Sequence, residues 1–419
     1  MNQTIFIRKC SDINVFFWFV AAYFGLYLIP FIILVHIGEL NLEEPQTREH
    51  LTFTIIYIIS YLAAGGILWV IHKSVSKPTK YLSIVHIANI LEKKRQVANT
   101  LATSLGWFSV LIIAIYYTVG GYKKILLLGS NIDAWNYRII GYDDTSRILT
   151  AFLEVARRIL MPYAILTKLA LAKYQYSKNK LSLVIFITAA IFGAIVNLDR
   201  GPIFLNIMLF FFFYFFSSNT SAAKKFAYFI LFALIVGMIG SIVTYLQYNK
   251  FDFDLLNIYQ GSFAILIDRV MMDPVRMAEV YAFGNISLWD NPLYLKYSRL
   301  GALFGAQYVG TEYEFSMYVA PVGLFGDVWR NFGMPGAVYI GLCHGFIFKI
   351  FSEWLKKSNF VITLPVYFLL FSLILYLFYG GIFSQGPFAL LFIIFILAWF
   401  NRITKRSTVW HKEIFPMRA

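Results

Sequence analysis

Cysteine and charge are both scarce in this chain of 419 residues. Its two cysteines, Cys10 and Cys343, lie before the first apolar run and inside a late one, which excludes a disulfide framework. Charged residues make up 14% of the chain, compared with about 25% in soluble domains. Hydrophobic residues make up 59%, and the mean hydropathy is +0.67. The composition therefore predicts a membrane protein that crosses the bilayer several times.

Signatures of soluble enzymes and of metal sites are missing as well. The chain has no P-loop, no nucleophile elbow and no Cys-x-x-Cys pair. His36, His72 and His344 show no metal-ligand spacing, and we expect His344 to be a packing residue inside a span. Gly341 and Gly345 form a G-x-x-x-G pair, which predicts a close helix contact. We therefore expect no cofactor and no metal.

Apolar runs that could cross a bilayer recur along the chain. A transmembrane helix needs about 20 mostly apolar residues. Ten segments meet this length or come close: 15–37, 51–72, 100–121, 147–172, 181–198, 202–217, 226–247, 334–352, 360–380 and 384–401. The sequence thus predicts an all-α, polytopic integral membrane protein, with one transmembrane domain over residues 1–419.

The positive charges indicate the orientation of the chain. The formal net charge is +14, but the lysines and arginines sit at the ends of apolar runs, so nucleic acid is not an expected partner. The connection 73–99 and the C-terminal tail are basic, whereas the first connection has four glutamates and one arginine. By the positive-inside rule we expect both termini to be cytoplasmic and residues 249–332 to be extracytoplasmic.

Residues 249–332 form a long segment that mixes apolar runs with charged side chains. Connections longer than about 15 residues without structure are uncommon unless they have a function. We interpret the segment as a helical lid over a charged site; the alternative is a structural loop with solvated charges. Arg269 and Arg276 are two turns apart on one face of a continuous helix. Because arginine forks match phosphate oxygens, the pattern predicts a lipid-linked phosphate or diphosphate as ligand.

Charged residues also occur where lipid is expected. The span 147–172 contains Glu154, Arg157 and Arg158, spaced so that either arginine can meet the carboxylate. Two interpretations remain open, namely a self-satisfied group that fixes helix packing and a cavity in which the second arginine binds another anion. Arg200 begins the next-but-one span, where it is either part of an anion site or an arginine that reaches up to lipid headgroups.

The layout resembles the bacterial O-antigen polymerases, the Wzy-type oligosaccharide repeat-unit polymerases. The similarity lies in the span count, in the cytoplasmic termini and in the late external loop. It also lies in the motifs Asp199-Arg200-Gly201-Pro202, Asp268-Arg269, Arg276…Glu279 and Val319-Ala-Pro-Val-Gly-Leu-Phe-Gly-Asp…Phe332-Gly-Met-Pro-Gly. The resemblance implies a fold like the C superfamily of membrane glycosyltransferases, in a bacterial plasma (inner) membrane. It also implies transfer of a growing glycan from undecaprenyl diphosphate to a second lipid-linked repeat unit, without a metal.

The resemblance assigns roles to the charged residues. Glu279 is the first choice for the base or orienting carboxylate, followed by Asp327 and Glu154. The residues expected to bind the diphosphate are Arg157, Arg158, Arg200, Arg269, Arg276, Arg299 and Arg330. The expected partners are undecaprenyl-diphosphate-linked oligosaccharide, membrane lipids and a chain-length regulator protein.

Three alternatives remain at this point. An O-antigen ligase would use the same donor with a different acceptor, lipid A core. A lipid-monophosphate sugar transferase would use acidic residues in the first external loop, where Glu43 and Glu44 are more simply solvated charges. A flippase or another transporter of lipid-linked glycans would need charges in both halves of the bundle, and the cytoplasmic halves of the predicted spans are nearly free of them.

Overall fold

The computed structural model describes residues 14–75, 84–127, 145, 147–173, 180–197, 200–217, 228, 231, 238, 242, 260, 261, 272–279, 283, 323–355 and 360–380. Within these ranges the chain is helical apart from short connections and contains no β-strand. The all-α prediction is therefore confirmed for the described part of the chain. Two predicted spans, 226–247 and 384–401, lie outside it apart from single residues of the first, so the count of ten stays a prediction.

The described part of the chain forms nine helices, one of which, Asp273–Ala278, has only six residues. In chain order they are α1 (Val15–His36, with a π turn at Phe24–Leu28), α2 (Pro45–Val75), α3 (Ile84–Tyr116, a π turn at Tyr117–Gly121, and Tyr122–Leu126), α4 (Arg147–Val155, a π turn at Ala156–Leu160, and Met161–Lys173), α5 (Lys180–Asn197), α6 (Arg200–Ser217), α7 (Asp273–Ala278), α8 (Gly323–Leu355) and α9 (Phe360–Gly380).

Four of these helices are long and apolar enough to cross a membrane. The qualifying segments are Val15–His36, Pro45–Ile71, Arg95–Leu126 and Asn331–Leu355. Shorter apolar stretches lie in α5, α6 and α9. Many exposed side chains of the long helices are large and hydrophobic, such as Ile59 and Trp69 of α2 and Tyr339 of α8, which is costly in water and normal against lipid. The described chain is thus that of a membrane-embedded, all-α protein.

α1 and α2 lie antiparallel and meet through aromatic rings. Phe16 stacks on Tyr61 with ring centroids 4.5 Å apart, and Phe19 lies against Tyr57 at 6.3 Å. The connection between the helices turns at Gly38, whose φ of 80° suits glycine because a Cβ would be strained there. This register brings the C-terminal half of α1 beside the first turns of α2.

The first turns of α2 differ from the prediction. The sequence interpretation assigned residues 39–50 to a connection, whereas the helix already begins at Pro45. Proline fits at a first helical position because its missing N–H would have no partner within the helix. Thr47 and His50, polar residues that ended the predicted connection, are 1% and 0% exposed. Their burial explains why this polar turn continues the helix.

α2 and α8 make the most extensive contact in the described bundle. A Cβ added to Gly341 would lie 2.7 Å from the carbonyl oxygen of Tyr57, and one added to Gly345 would overlap that of Tyr61. Each of these added Cβ atoms would lie well inside ordinary van der Waals contact with the backbone of α2. The two backbones can therefore approach this closely only because both positions are glycine. The close helix contact predicted from the G-x-x-x-G pair is confirmed.

α8 is kinked at Gly333, which has φ 58° and ψ −160°. Such a conformation is accessible to glycine, and Pro335 follows two residues later. The kink coincides with the predicted boundary between the segment 249–332 and the span 334–352. The turns before the kink, which belong to the predicted loop, are helical and mostly buried.

Candidate functional site

Glu279, the first choice for a catalytic carboxylate, is buried against the start of α2. Its side chain is 7% exposed. Thr47 donates from Oγ1 to Oε1 of Glu279 at 2.6 Å, and Nδ1 of His50 lies 2.6 Å from Oε2. Thr47 and His50 are one turn apart on the same face of α2. One face of one helix therefore satisfies both oxygens of the carboxylate.

The second nitrogen of His50 extends this contact to α1. Nε2 is hydrogen-bonded to the hydroxyl of Tyr27, which lies in the π turn of that helix. A neutral imidazole has one donor nitrogen and one acceptor nitrogen. All groups are satisfied when Nδ1–H donates to Glu279 and Nε2 accepts from Tyr27. We call Tyr27, Thr47, His50 and Glu279 the Glu279 network.

The surroundings of Glu279 keep its carboxylate charged. Burial raises the pKa of Glu279, but the hydrogen bonds with His50 and Thr47 lower it, so that the net pKa lies below its ordinary value. The group is therefore an ionised acceptor at neutral pH. In that state its two oxygens accept the hydrogen bonds from Thr47 and His50.

Aromatic rings enclose the imidazole of His50. Phe283 stacks on it with centroids 4.1 Å apart, and Phe31 meets it edge-on at 5.4 Å. Phe283 also stacks on Trp329 of α8 at 4.9 Å. These contacts shield the network from water, which strengthens its hydrogen bonds. They also fix the segment around Glu279 between α2 and α8.

Arg276 lies three residues before Glu279, in α7, and contacts the connection between α1 and α2. Its Nε is 2.6 Å from Oε2 of Glu39, and its Nη2 donates to Oε1 at 2.7 Å. This is the bidentate fork geometry that arginine adopts with a carboxylate. α7 is therefore attached to the first helix pair through Glu39 and through the Glu279 network.

Asp327, the second candidate carboxylate, is fully buried in the first turns of α8. Asn331 donates from its side chain to the backbone oxygen of Asp327 at 2.7 Å. Phe325, two residues earlier, places its ring 4.4 Å from that of Tyr27. α8 also packs on α7. Asp327 therefore lies on a helix that contacts the Glu279 network, although its own carboxylate is not a member of that network.

Glu154, Arg157 and Arg158 form a second charged cluster within α4. Arg157 donates from Nη1 to Oε1 of Glu154 at 3.3 Å, and Nε of Arg158 lies 2.5 Å from Oε2. The arginines lie in the π turn of α4, a feature that is frequent at functional sites. α4 packs on α3, α5, α6 and α9, whereas α7 packs on α8 and on the π turn of α1. The two clusters therefore have different main neighbours.

The side chains of the remaining predicted arginines lie outside the described residues. Arg200 is the first residue of α6, and Arg330 lies in α8 before the kink, but both side chains are outside the described residues. Arg269 and Arg299 lie wholly outside them. Their binding roles stay predictions. Within the described ranges, no group of three or more His, Cys, Asp or Glu residues could hold a metal ion.

Four residues at this site were not predicted as functional: Tyr27, Glu39, Thr47 and His50. The sequence contained one usable signal, a threonine and a histidine one turn apart immediately before an apolar run. Nothing local could identify their partner, since His50 and Glu279 are separated by 229 residues.

Comparison with known proteins finds no relative of this chain. No protein-family model matches the chain, and neither a curated protein nor a solved structure is significantly similar to it.

Proposed function

We propose that this protein is a membrane glycosyltransferase. It polymerises undecaprenyl-diphosphate-linked oligosaccharide repeat units into a surface polysaccharide at the outer side of the plasma membrane. The observation that supports this proposal is that an ionised carboxylate, Glu279, and an arginine, Arg276, lie three residues apart on one short helical segment, each held against the first helix pair. Transfer from a lipid diphosphate needs both, a group that receives a proton and a positive charge beside the leaving group.

The reaction assigns a role to each of these groups. A hydroxyl of the acceptor sugar attacks the anomeric carbon of the donor glycan, and its proton passes to the Glu279 carboxylate. The bond between the anomeric carbon and the diphosphate oxygen breaks, and the lipid diphosphate leaves with the electron pair. Arg276 stabilises the negative charge that develops on that oxygen. Thr47 and His50 hold Glu279 in place during the transfer.

The location of the site supports an extracytoplasmic reaction. Both Arg276 and Glu279 contact the end of the bundle where α1 connects to α2. The charge pattern predicts this connection to lie outside, on the same side as the segment 249–332. Donor and acceptor linked to lipid on the outer leaflet would therefore reach the site without crossing the membrane.

Deletion of the gene, followed by complementation, tests the proposal. We expect the deletion strain to accumulate single repeat units on lipid diphosphate and to lose long glycan chains. Wild-type protein and Glu44→Gln should restore the chains, because Glu44 is exposed and bonds to Gln46 within its own turn. Glu279→Gln, at equal abundance, should not.

The same experiment separates the rival functions. Accumulation of long chains on lipid diphosphate, unattached to lipid A core, would indicate a ligase instead. Single units that stay inaccessible to a sugar-modifying enzyme added outside the cell would indicate a flippase. Full-length chains with Glu279→Gln would mean that Glu279 is not the catalytic carboxylate, and Asp327 and Glu154 would be tested next.

A further inference from the structure

The contact between Arg276 and Glu39 has the geometry of an arginine bound to a phosphate. Two nearly parallel hydrogen bonds, of 2.6 and 2.7 Å, join the guanidinium to the two carboxylate oxygens. A phosphate group offers an arginine fork a similar pair of oxygens. The carboxylate of Glu39 therefore occupies the Nε–Nη2 edge of Arg276, one at which a phosphate could bind.

The two partners of this ion pair are anchored differently. Arg276 belongs to α7, and the Glu279 network holds the next turn of the chain against α2. Glu39 lies in the short connection after α1, beside Gly38, with its backbone N–H bonded to the carbonyl of Leu34 at 2.9 Å. A rotation of the Glu39 side chain can open the fork, and Arg276 need not move.

The pair is also accessible to a ligand. The side chains of Arg276 and Glu39 are 27% and 43% exposed, in contrast with the buried contact of Glu279 and His50. Ion pairs at this level of exposure contribute little to stability because water and salt screen them. A diphosphate has more than one negative charge, so it can replace the single charge of a carboxylate at the fork.

We propose that Glu39 is an exchangeable internal anion, which occupies Arg276 in the resting protein and is displaced by the diphosphate of the lipid-linked donor. This inference rests on the proposed function, in which Arg276 meets that diphosphate. Glu39 keeps the fork aligned between reaction cycles and sets the affinity for the donor.

Binding measurements with purified protein in nanodiscs test the exchange. The two probes are undecaprenyl diphosphate and inorganic pyrophosphate, each measured with wild type, Glu39→Gln, Arg276→Ala and the double variant. Glu39→Gln should bind both probes more tightly, by about two- to fivefold, the range expected when a partly exposed ion pair no longer competes. Glu44→Gln, in the same connection, is the matched control and should bind like wild type. In the Arg276→Ala background, Glu39→Gln should have no further effect.

Each outcome of these measurements either supports or overturns the exchange of Glu39 for a diphosphate at Arg276. Tighter binding of both probes by Glu39→Gln supports exchange at the headgroup, and tighter binding of the lipid alone supports it with a contribution from the lipid chain. Unchanged or weaker binding by Glu39→Gln overturns the exchange but leaves the proposed function intact, provided that Arg276→Ala still binds poorly. Glu39→Ala is a second variant if Glu39→Gln does not fold. Wild-type binding by Arg276→Ala would remove Arg276 from the donor site and the exchange with it.

Discussion

Glu279 is buried, and a buried carboxylate without hydrogen-bond partners would destabilise the fold. Removing one hydrogen-bond partner from a buried group costs about 1–3 kcal/mol, and more when the group is charged. Here Thr47 and His50 supply one donor to each oxygen, and Tyr27 completes the imidazole. The network is therefore a single unit, and its members should respond to substitution together.

His50→Phe tests this coupling. Phenylalanine keeps a ring of similar shape beside Phe283 but has no donor for Glu279. We expect the free energy of unfolding in detergent to fall by roughly 1–3 kcal/mol. In a Glu279→Gln background the cost should be smaller, because a neutral amide loses less than a buried carboxylate when its hydrogen-bond donor is removed. Additive losses in the double variant would contradict the network.

Acidification should weaken the network, in a direction set by the pKa of Glu279. Because this pKa lies below its ordinary value of 4.5 in the folded protein, the ionised carboxylate stabilises the fold above that pH. The contribution is lost as the pH falls through the folded pKa. The difference in unfolding free energy between wild type and Glu279→Gln should therefore shrink between pH 7 and the acid range. A difference that grows in acid would refute the assignment.

The contact of α2 with α8 depends on two glycines. Alanine at Gly345 would place its Cβ against the backbone of Tyr61, which cannot move out of the way as a side chain can. We expect Gly345→Ala to destabilise the protein by about 1–3 kcal/mol, the usual cost of overpacking. Gly66→Ala is the control, since a Cβ at Gly66 of α2 meets nothing within 4 Å. Thermal unfolding in detergent measures both, and equal midpoints would show that the helices can separate at no cost.

The residues at which helices begin were harder to predict from the sequence than the presence of the helices. The apolar runs predicted α2 and α8, because a continuous apolar stretch identifies a span locally. The polar turn that contains Thr47 and His50 was assigned to a connection, since its burial depends on Glu279, far away in the sequence. The predicted start of the span at residue 334 coincides with the kink at Gly333, but α8 itself begins at Gly323, within the predicted loop.

The orientation of the whole protein can be checked with reporters. The structure places residues 272–279 and the connection after α1 at the same end of the bundle, and the charge pattern predicts that end to be outside. Alkaline phosphatase, which is active only outside, should work when fused near Glu43 or near Asn291 and fail near Lys178. Activity at Glu43 without activity at Asn291, at equal expression, would contradict the common location.

The order of the amino acids is enough to predict an all-α membrane protein and its longest spans, because hydropathy acts through local length and composition. It was also enough to single out Glu279 and Arg276, as charged residues in an otherwise apolar segment. It did not reveal that Glu39 occupies the fork of Arg276, or that Thr47 and His50 form hydrogen bonds with Glu279. Those pairings join segments more than 200 residues apart, and they exist only because α1, α2, α7 and α8 pack together and bring the first connection against α7.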